Sequence, residues 1–213
     1  MKIKVFQGGF DKNLSYLIWC NKTNIAAIID PAVEINPIIE YITSHNLILS
    51  KILITHTHHD HIAYIHDFIN LYPNISNYCY NSPVNADFNY TGLSHNQVTA
   101  IGNDILIAIH TPGHFIDSMC FWNKKDNFIF TGDTMFVGRT GRTVSNLSDI
   151  KDLYQSTYKK LLTLSKNTII YPGHHYGYTQ SISIKDNILT SKFFTCKSFE
   201  EFCTVMKKFE KNR

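Results

Sequence analysis

The sequence predicts an α/β fold organised around a metal site, and three observations predict it. Short apolar runs rich in β-branched residues alternate with stretches whose apolar residues recur at helical spacing. Each of four such runs is followed within a few residues by a metal-binding residue type: His56 after 51–54, His114 after 105–109, Asp133 after 127–131 and His174 after 168–171. Glycine stands beside three of these, at Gly113, Gly132 and Gly173, where the backbone can approach an ion closely or turn sharply. Alone, a histidine is more often a core residue and an aspartate a turn former or helix cap. In α/β architectures, however, sites form just beyond the carboxyl ends of strands, so the shared placement favours a ligand set.

Residues 2–6, 14–20 and 25–30 read as three short strands, separated by turn signals at Gly8-Gly9-Phe10-Asp11 and Asn21-Lys22-Thr23-Asn24. Asp30-Pro31 ends the third, and Ile35, Ile38, Ile39 and Ile42 give the helical spacing of 34–45. A strand at 51–54 then leads into a predicted helix over 61–71, which Pro73 ends. Residues 75–103 hold only short, weak signals. Strands at 105–109, 118–122 and 127–131 follow, then a helix from about 149 to 164 and a strand at 168–171. Near the end, Ser198 stands as N-cap of an amphipathic helix with Glu201 at the capping-box position.

The densest chemistry lies in Thr55-His56-Thr57-His58-His59-Asp60-His61. Beyond the end of a strand, side chains two apart can turn to the same side, as His56 and His58 would. Asp60 and His61 meet the same point from the following turn. Imidazole and carboxylate suit zinc, and iron and manganese also accept them. No thiol is near, which argues against a closed structural site.

The 213 residues, 44% hydrophobic, are ample for one core, and the net charge of +3 is dispersed. A nucleic-acid partner is therefore not expected. No apolar stretch suits a signal or a membrane span, and the odd set of cysteines (Cys20, Cys79, Cys120, Cys196, Cys203) has no Cys-x-x-Cys pair. The expected setting is soluble, reduced and cytoplasmic, without a membrane partner; the oligomeric state is open.

His56-x-His58-x-Asp60-His61, Thr111-Pro112-Gly113-His114, Thr131-Gly132-Asp133-Thr134 and Pro172-Gly173-His174 resemble, in order, the motifs of the metallo-β-lactamase fold. Gly132 to Gly138 with Gly141-Arg142, and Gly173-His174-His175-Tyr176, are similar to the hydroxyacylglutathione hydrolase (glyoxalase II) and persulfide dioxygenase branch. The resemblance implies a four-layer αββα sandwich over 1–213 as one domain, with a short helical segment at about 180–213. It implies that His56, His58 and His114 hold one ion, that Asp60, His61 and His174 hold another, and that Asp133 bridges them. Arg142 and Tyr176 take the places of substrate contacts, Arg142 toward the glutathione backbone and Tyr176 near the thiol end. The segment after 175 is shorter than the helical substrate domain of glyoxalase II and closer to the tail of the persulfide dioxygenases. Ile62-Ala63-Tyr64 replaces a small Gly-rich turn and is expected to narrow the mouth.

Two divalent ions, zinc foremost with Fe2+ or Mn2+ as alternatives, would bring a shared water near ionisation at neutral pH and polarise a carbonyl. A small-molecule thioester of the hydroxyacylglutathione type is the favoured substrate, with Asp60 and Asp133 as the catalytic carboxylates. The histidines need acceptors for their second ring nitrogens, and Asp30 and Thr55 are candidates. The alternative is a mononuclear iron oxygenase acting on glutathione persulfide, since His56, His114 and Asp133 alone make a two-histidine, one-carboxylate face. A non-catalytic metal-binding module ranks third. The flavodiiron branch is disfavoured because His58 stands where that branch carries Glu.

Overall fold

The apolar runs become strands buried on both faces, because each sheet is covered by helices on one side and by the other sheet on its second side. In the computed structural model, which describes residues 1–211, strands β1 (Lys2–Gly8), β2 (Asn13–Trp19) and β3 (Ile25–Ile29) form an antiparallel meander. Helix α1 (Ile35–Ser44) returns the chain to β4 (Ile48–Leu53), parallel to β3. Helix α2 (Ile65–Leu71) leads on to β5 (Ser76–Tyr80) and β6 (Thr91–Leu93), completing a six-stranded sheet in the order β1 to β6.

The second sheet comprises β7 (Val98–Ile101), β8 (Asp104–His110), β9 (Met119–Asn123), β10 (Phe128–Gly132), β11 (Ile169–Pro172) and β12 (Ile182–Ser183), ordered β12-β11-β10-β9-β8-β7. Helix α3 (Ile150–Gln155) runs into a π turn at Ser156–Lys160, and α4 (Ile184–Thr190) and α5 (Phe199–Lys211) close the described chain. Alternation along the strands separates three layers of core. Leu14, Tyr16, Ile18, Ala27 and Ile29 meet Leu106, Ala108, Phe121, Phe128 and Phe130 between the sheets. Leu17, Ile28 and Ile52 face Ile38, Ile42, Ile65 and Phe68 of α1 and α2, while Ile109, Ile129 and Ile170 pack beneath Leu161, Ile184 and Phe194. The αββα sandwich follows.

Three local expectations are corrected. Helix α2 starts at Ile65 instead of 61, because the carbonyl of Pro31 accepts the Tyr64 N–H at 2.9 Å and holds residues 61–64 as a turn. Ile62 is buried in the core beneath α1 and α2, and 62–64 line no part of the metal-site cavity, so they do not narrow its mouth. In α5, Ser198 Oγ accepts from Glu201 N at 3.3 Å, but the Glu201 carboxylate accepts from Lys197 N instead of Ser198 N. All five cysteines are free, and no helix among the described residues is long and apolar enough to cross a membrane.

Candidate metal centre

Strand β3 ends in Asp30, which is buried and in the left-handed region at φ 52°, a conformation aspartate tolerates better than most residues. Its carboxylate accepts from Thr55 N at 2.7 Å, from Thr55 Oγ1 at 2.6 Å and from His61 Nδ1 at 2.8 Å. One side chain thus fixes the start of the histidine loop and orients one of its histidines. The loop's middle is held by Asp117, a buried carboxylate that accepts from Thr57 N at 3.2 Å, from the Thr57 hydroxyl and from Val84 N at 3.0 Å.

Second-nitrogen partners decide which nitrogen each imidazole offers. His61 Nδ1 faces Asp30, His114 Nδ1 donates to the Arg142 carbonyl at 2.8 Å, and His174 Nδ1 donates to the Asp11 carbonyl at 3.0 Å. His56 Nδ1 lies 3.2 Å from Thr55 Oγ1, whose proton goes to Asp30. In all four, Nε2 is therefore the nitrogen that faces the centre. His58 turns the other way, with Nδ1 2.9 Å from His56 Nε2 and 3.2 Å from His114 Nε2.

The facing donor atoms converge: besides His56, His61 and Asp133, which also form a close set, two groups stand out. His56, His58 and His114 offer atoms within 4.8 Å of one another, and so do Asp60, His61 and His174. Asp133 lies between them, with Oδ1 3.3 Å from His61 Nε2 and Oδ2 3.5 Å from both His114 Nε2 and His174 Nε2. Nitrogens on one tetrahedral ion would stand about 3.3 Å apart, close to these separations. Asp133 Oδ1 is buried without a hydrogen-bond partner, an arrangement that costs stability unless a cation satisfies it. The donor set and this orphaned oxygen fit one or two divalent ions.

Electrostatics separate the two groups. Burial, and then neighbouring histidines, push His56 well down and bring His58 to about 4, and burial also lowers His114. These rings are neutral and ready to ligate. Burial also opposes protonation of His61 and His174, but Asp133 and the other carboxylates outweigh it, raising His61 well above its ordinary value and His174 to about 9. Burial would raise Asp133 and Asp60, yet the facing histidines hold both below the usual carboxylate range.

A cavity of about 220 Å³ opens onto these residues between Phe10 and Asp11 on one side and Arg142, Val144 and Ser145 on another, with Tyr176 beside His174. The Arg142 side chain is exposed and makes no hydrogen bond or ion pair among the described residues. Tyr176 stacks on His174 with ring centroids 4.8 Å apart and donates to Asp11 Oδ2 at 2.6 Å. A larger hollow of about 640 Å³ beside α2 contains none of the seven metal-binding candidates.

Sequence reasoning missed two residues of this centre. Asp117 left a signal in its place three residues after His114. Asn13, buried at the start of β2, donates from Nδ2 to Asp60 Oδ2 at 3.0 Å, and a polar residue opening an apolar run was its only signal.

Comparison with known proteins places this geometry in a family. The model of the metallo-beta-lactamase superfamily matches residues 8–174. A probable hydroxyacylglutathione hydrolase, glo2, of Schizosaccharomyces pombe is 33% identical over 177 residues, covering 79% of this chain. The chain spans 66% of that relative's length. A probable polyketide biosynthesis zinc-dependent hydrolase, BaeB, of Bacillus velezensis is 28% identical, covering 89% of this chain and 85% of its own. The crystal structure of ETHE1 from Myxococcus xanthus is 27% identical with a TM-score of 0.88, covering 98% of this chain and 91% of its own. The motif order, the sandwich and the family match over most of the chain agree: the chain belongs to the metallo-beta-lactamase superfamily.

Proposed function

We propose that this chain is a metal-dependent hydrolase that cleaves a thioester of the hydroxyacylglutathione type, using two divalent ions, zinc foremost. His56, His58 and His114 would hold one ion, Asp60, His61 and His174 the other, and Asp133 would lie between them. The observation that carries this reading is the convergence of all these donor atoms from the ends of both sheets, with the second ring nitrogens of His61, His114 and His174 committed elsewhere. The names of the glo2 and BaeB relatives support hydrolysis, and the latter supports zinc.

In the reaction, water adds to the thioester carbonyl, the carbon–sulfur bond breaks, and the products are a carboxylic acid and a thiol. Bound ions would supply ionised water at neutral pH and polarise the carbonyl. The protein's own residues do the rest. Asp30 and Thr55 fix His61 and His56, Asn13 orients Asp60, and Asp133 and Asp60 would supply negative charge toward bound dications. Arg142, with no side-chain partner among the described residues, is suited to a substrate carboxylate. Tyr176, taken as the contact near the thiol end, has its hydroxyl donating to Asp11 and its ring packed against His174 and Arg139. The free cysteines suit a reducing, cytoplasmic setting.

A second reading, a mononuclear iron oxygenase acting on glutathione persulfide, draws on His56, His114 and Asp133, with His114 Nε2 3.5 Å from Asp133 Oδ2. Two assays separate them. Zinc-loaded protein should release thiol from lactoylglutathione without oxygen. Iron-loaded protein that consumes oxygen with glutathione persulfide, alongside an inert zinc form, would replace the first reading by the second.

A further inference from the structure

The loop between β1 and β2 is strained at two residues that are not glycine. Asp11 (φ 53°) and Lys12 (φ 63°) both lie in the left-handed region, as does Gly9 (φ 58°). Left-handed backbone is costly for residues with a Cβ and persists only where surroundings enforce it. Here they do: the Asp11 carbonyl accepts from His174 Nδ1, the Asp11 carboxylate from the Tyr176 hydroxyl, and the Lys12 carbonyl from His175 N at 3.0 Å. What this pinned loop displays is Phe10, 77% exposed at the mouth of the metal-site cavity.

The other rim of the cavity repeats the arrangement by different means. Glu210 of α5 accepts from Thr143 N at 2.7 Å and from Thr143 Oγ1 at 3.0 Å, fixing the segment that carries Val144. Val144 is 64% exposed and lines the same cavity. Single exposed apolar residues are ordinary on protein surfaces. Two of them, on two tethered loops flanking one site, form a recognition feature. The cavity, about 220 Å³, is smaller than the roughly 300–1,000 Å³ of sites that enclose a whole ligand. A thioester of glutathione size would fit only its scissile end inside and would extend along the rims with the rest.

We infer that the substrate carries an apolar acyl chain, which lies between Phe10 and Val144 while the scissile carbonyl sits at the metal centre. This rests on the thioester reading above. A glutathione-type thiol is polar along its length and offers nothing for two apolar rims, so the apolar part falls to the acyl group. Arg142, on the same segment as Val144, is left for a carboxylate of the thiol portion.

Acetyl-, butanoyl- and hexanoylglutathione, assayed with the zinc-loaded chain, test this. The ratio of kcat/KM for hexanoyl over acetyl should be at least about tenfold in the parent, the scale of added methylenes in an apolar site. It should fall about tenfold in the Phe10→Ala, Val144→Ala double variant. Leu189→Ala, equally exposed at 73% and lining no part of this cavity, should keep the parent's ratio. Equal kinetics along the series, an unchanged ratio in the double variant, or a stronger preference for acetyl thioesters of long alkanethiols would overturn the inference. If the parent cleaves none of these thioesters, the hydrolase reading fails, and calorimetry with acetate and hexanoate then decides the apolar rims alone. Tighter binding of hexanoate, lost in the double variant, would sustain them; equal binding would overturn them.

Discussion

At Gly173 the reason for glycine is contact, since a Cβ there would stand 2.5 Å from Asp133 Oδ1 and 2.6 Å from His61 Cε1. Gly173→Ala should therefore leave the fold intact while metal analysis reads no more than one ion per chain; two tightly held ions in the variant would contradict this. Protonation gives a second prediction. His58, held at about 4, is neutral near neutral pH, whereas His174, raised to about 9, keeps its proton there in the metal-free protein. An ion bound at His174 must displace that proton. Its apparent affinity should rise with pH up to about 9, by about tenfold per unit for each proton released, while the His58 group stays flat. Calorimetry in two buffers of different ionisation enthalpy measures the release, and none at neutral pH would refute the assignment. The seven candidate ligands are legible in the sequence because each is a ligand type placed at a strand end. Asn13 and Asp117 are not, because each acts on a residue far away in the chain, Asn13 on Asp60 and Asp117 on Thr57.

Among the elements, strands β2, β3 and β10 are readable because burial on both faces demands continuous apolar runs, and β4, β8 and β11 because their apolar residues run together despite a few exposed positions. Strands β5 to β7 are not. β6 has only three residues, with a glycine in the middle, and β7 alternates exposed and buried at the sheet edge, so neither accumulates a signal. The π turn at Ser156–Lys160 is likewise invisible to apolar spacing, which reads that stretch as one helix. Asp117 shows how an element outside the strands matters. It ties the histidine loop to residues 84–85, where Asn85 in turn donates to the Thr57 carbonyl at 2.7 Å. Asp117→Ala would strand the Thr57 and Val84 N–H groups, costing about 3 kcal/mol. It should also weaken the ion held with His58 by roughly 10- to 100-fold through loss of ligand orientation. Denaturant unfolding and competition with a chelating dye measure the two effects. A stability loss with unaltered metal affinity would show that Asp117 supports the loop without positioning its ligands.

For the whole molecule, the centre is one place where the two sheets are joined by polar contacts. His56, His58, Asp60 and His61 follow β4 of the first sheet, whereas His114, Asp133 and His174 follow β8, β10 and β11 of the second. Without metal, the ties there include hydrogen bonds and ion pairs such as His174 Nε2 to Asp60 Oδ2 at 3.3 Å. An ion shared across that line binds only the folded chain, since unfolding parts ligands as distant in sequence as His61 and His174. It must then stabilise the fold by mass action, by about 2.7 kcal/mol when free metal is a hundred times the Kd. For a chain of this size each kcal/mol is worth about 2–4 °C, so metal at that level should raise Tm by about 5–10 °C over chelated protein. Asp133→Ala removes the carboxylate that faces both groups and should lose most of that increment, together with turnover. Scanning calorimetry of parent and variant, each with zinc and with chelator, reads the difference directly. Equal shifts in both would mean that the ions stabilise each sheet separately, and the bridging position of Asp133 would have to be abandoned.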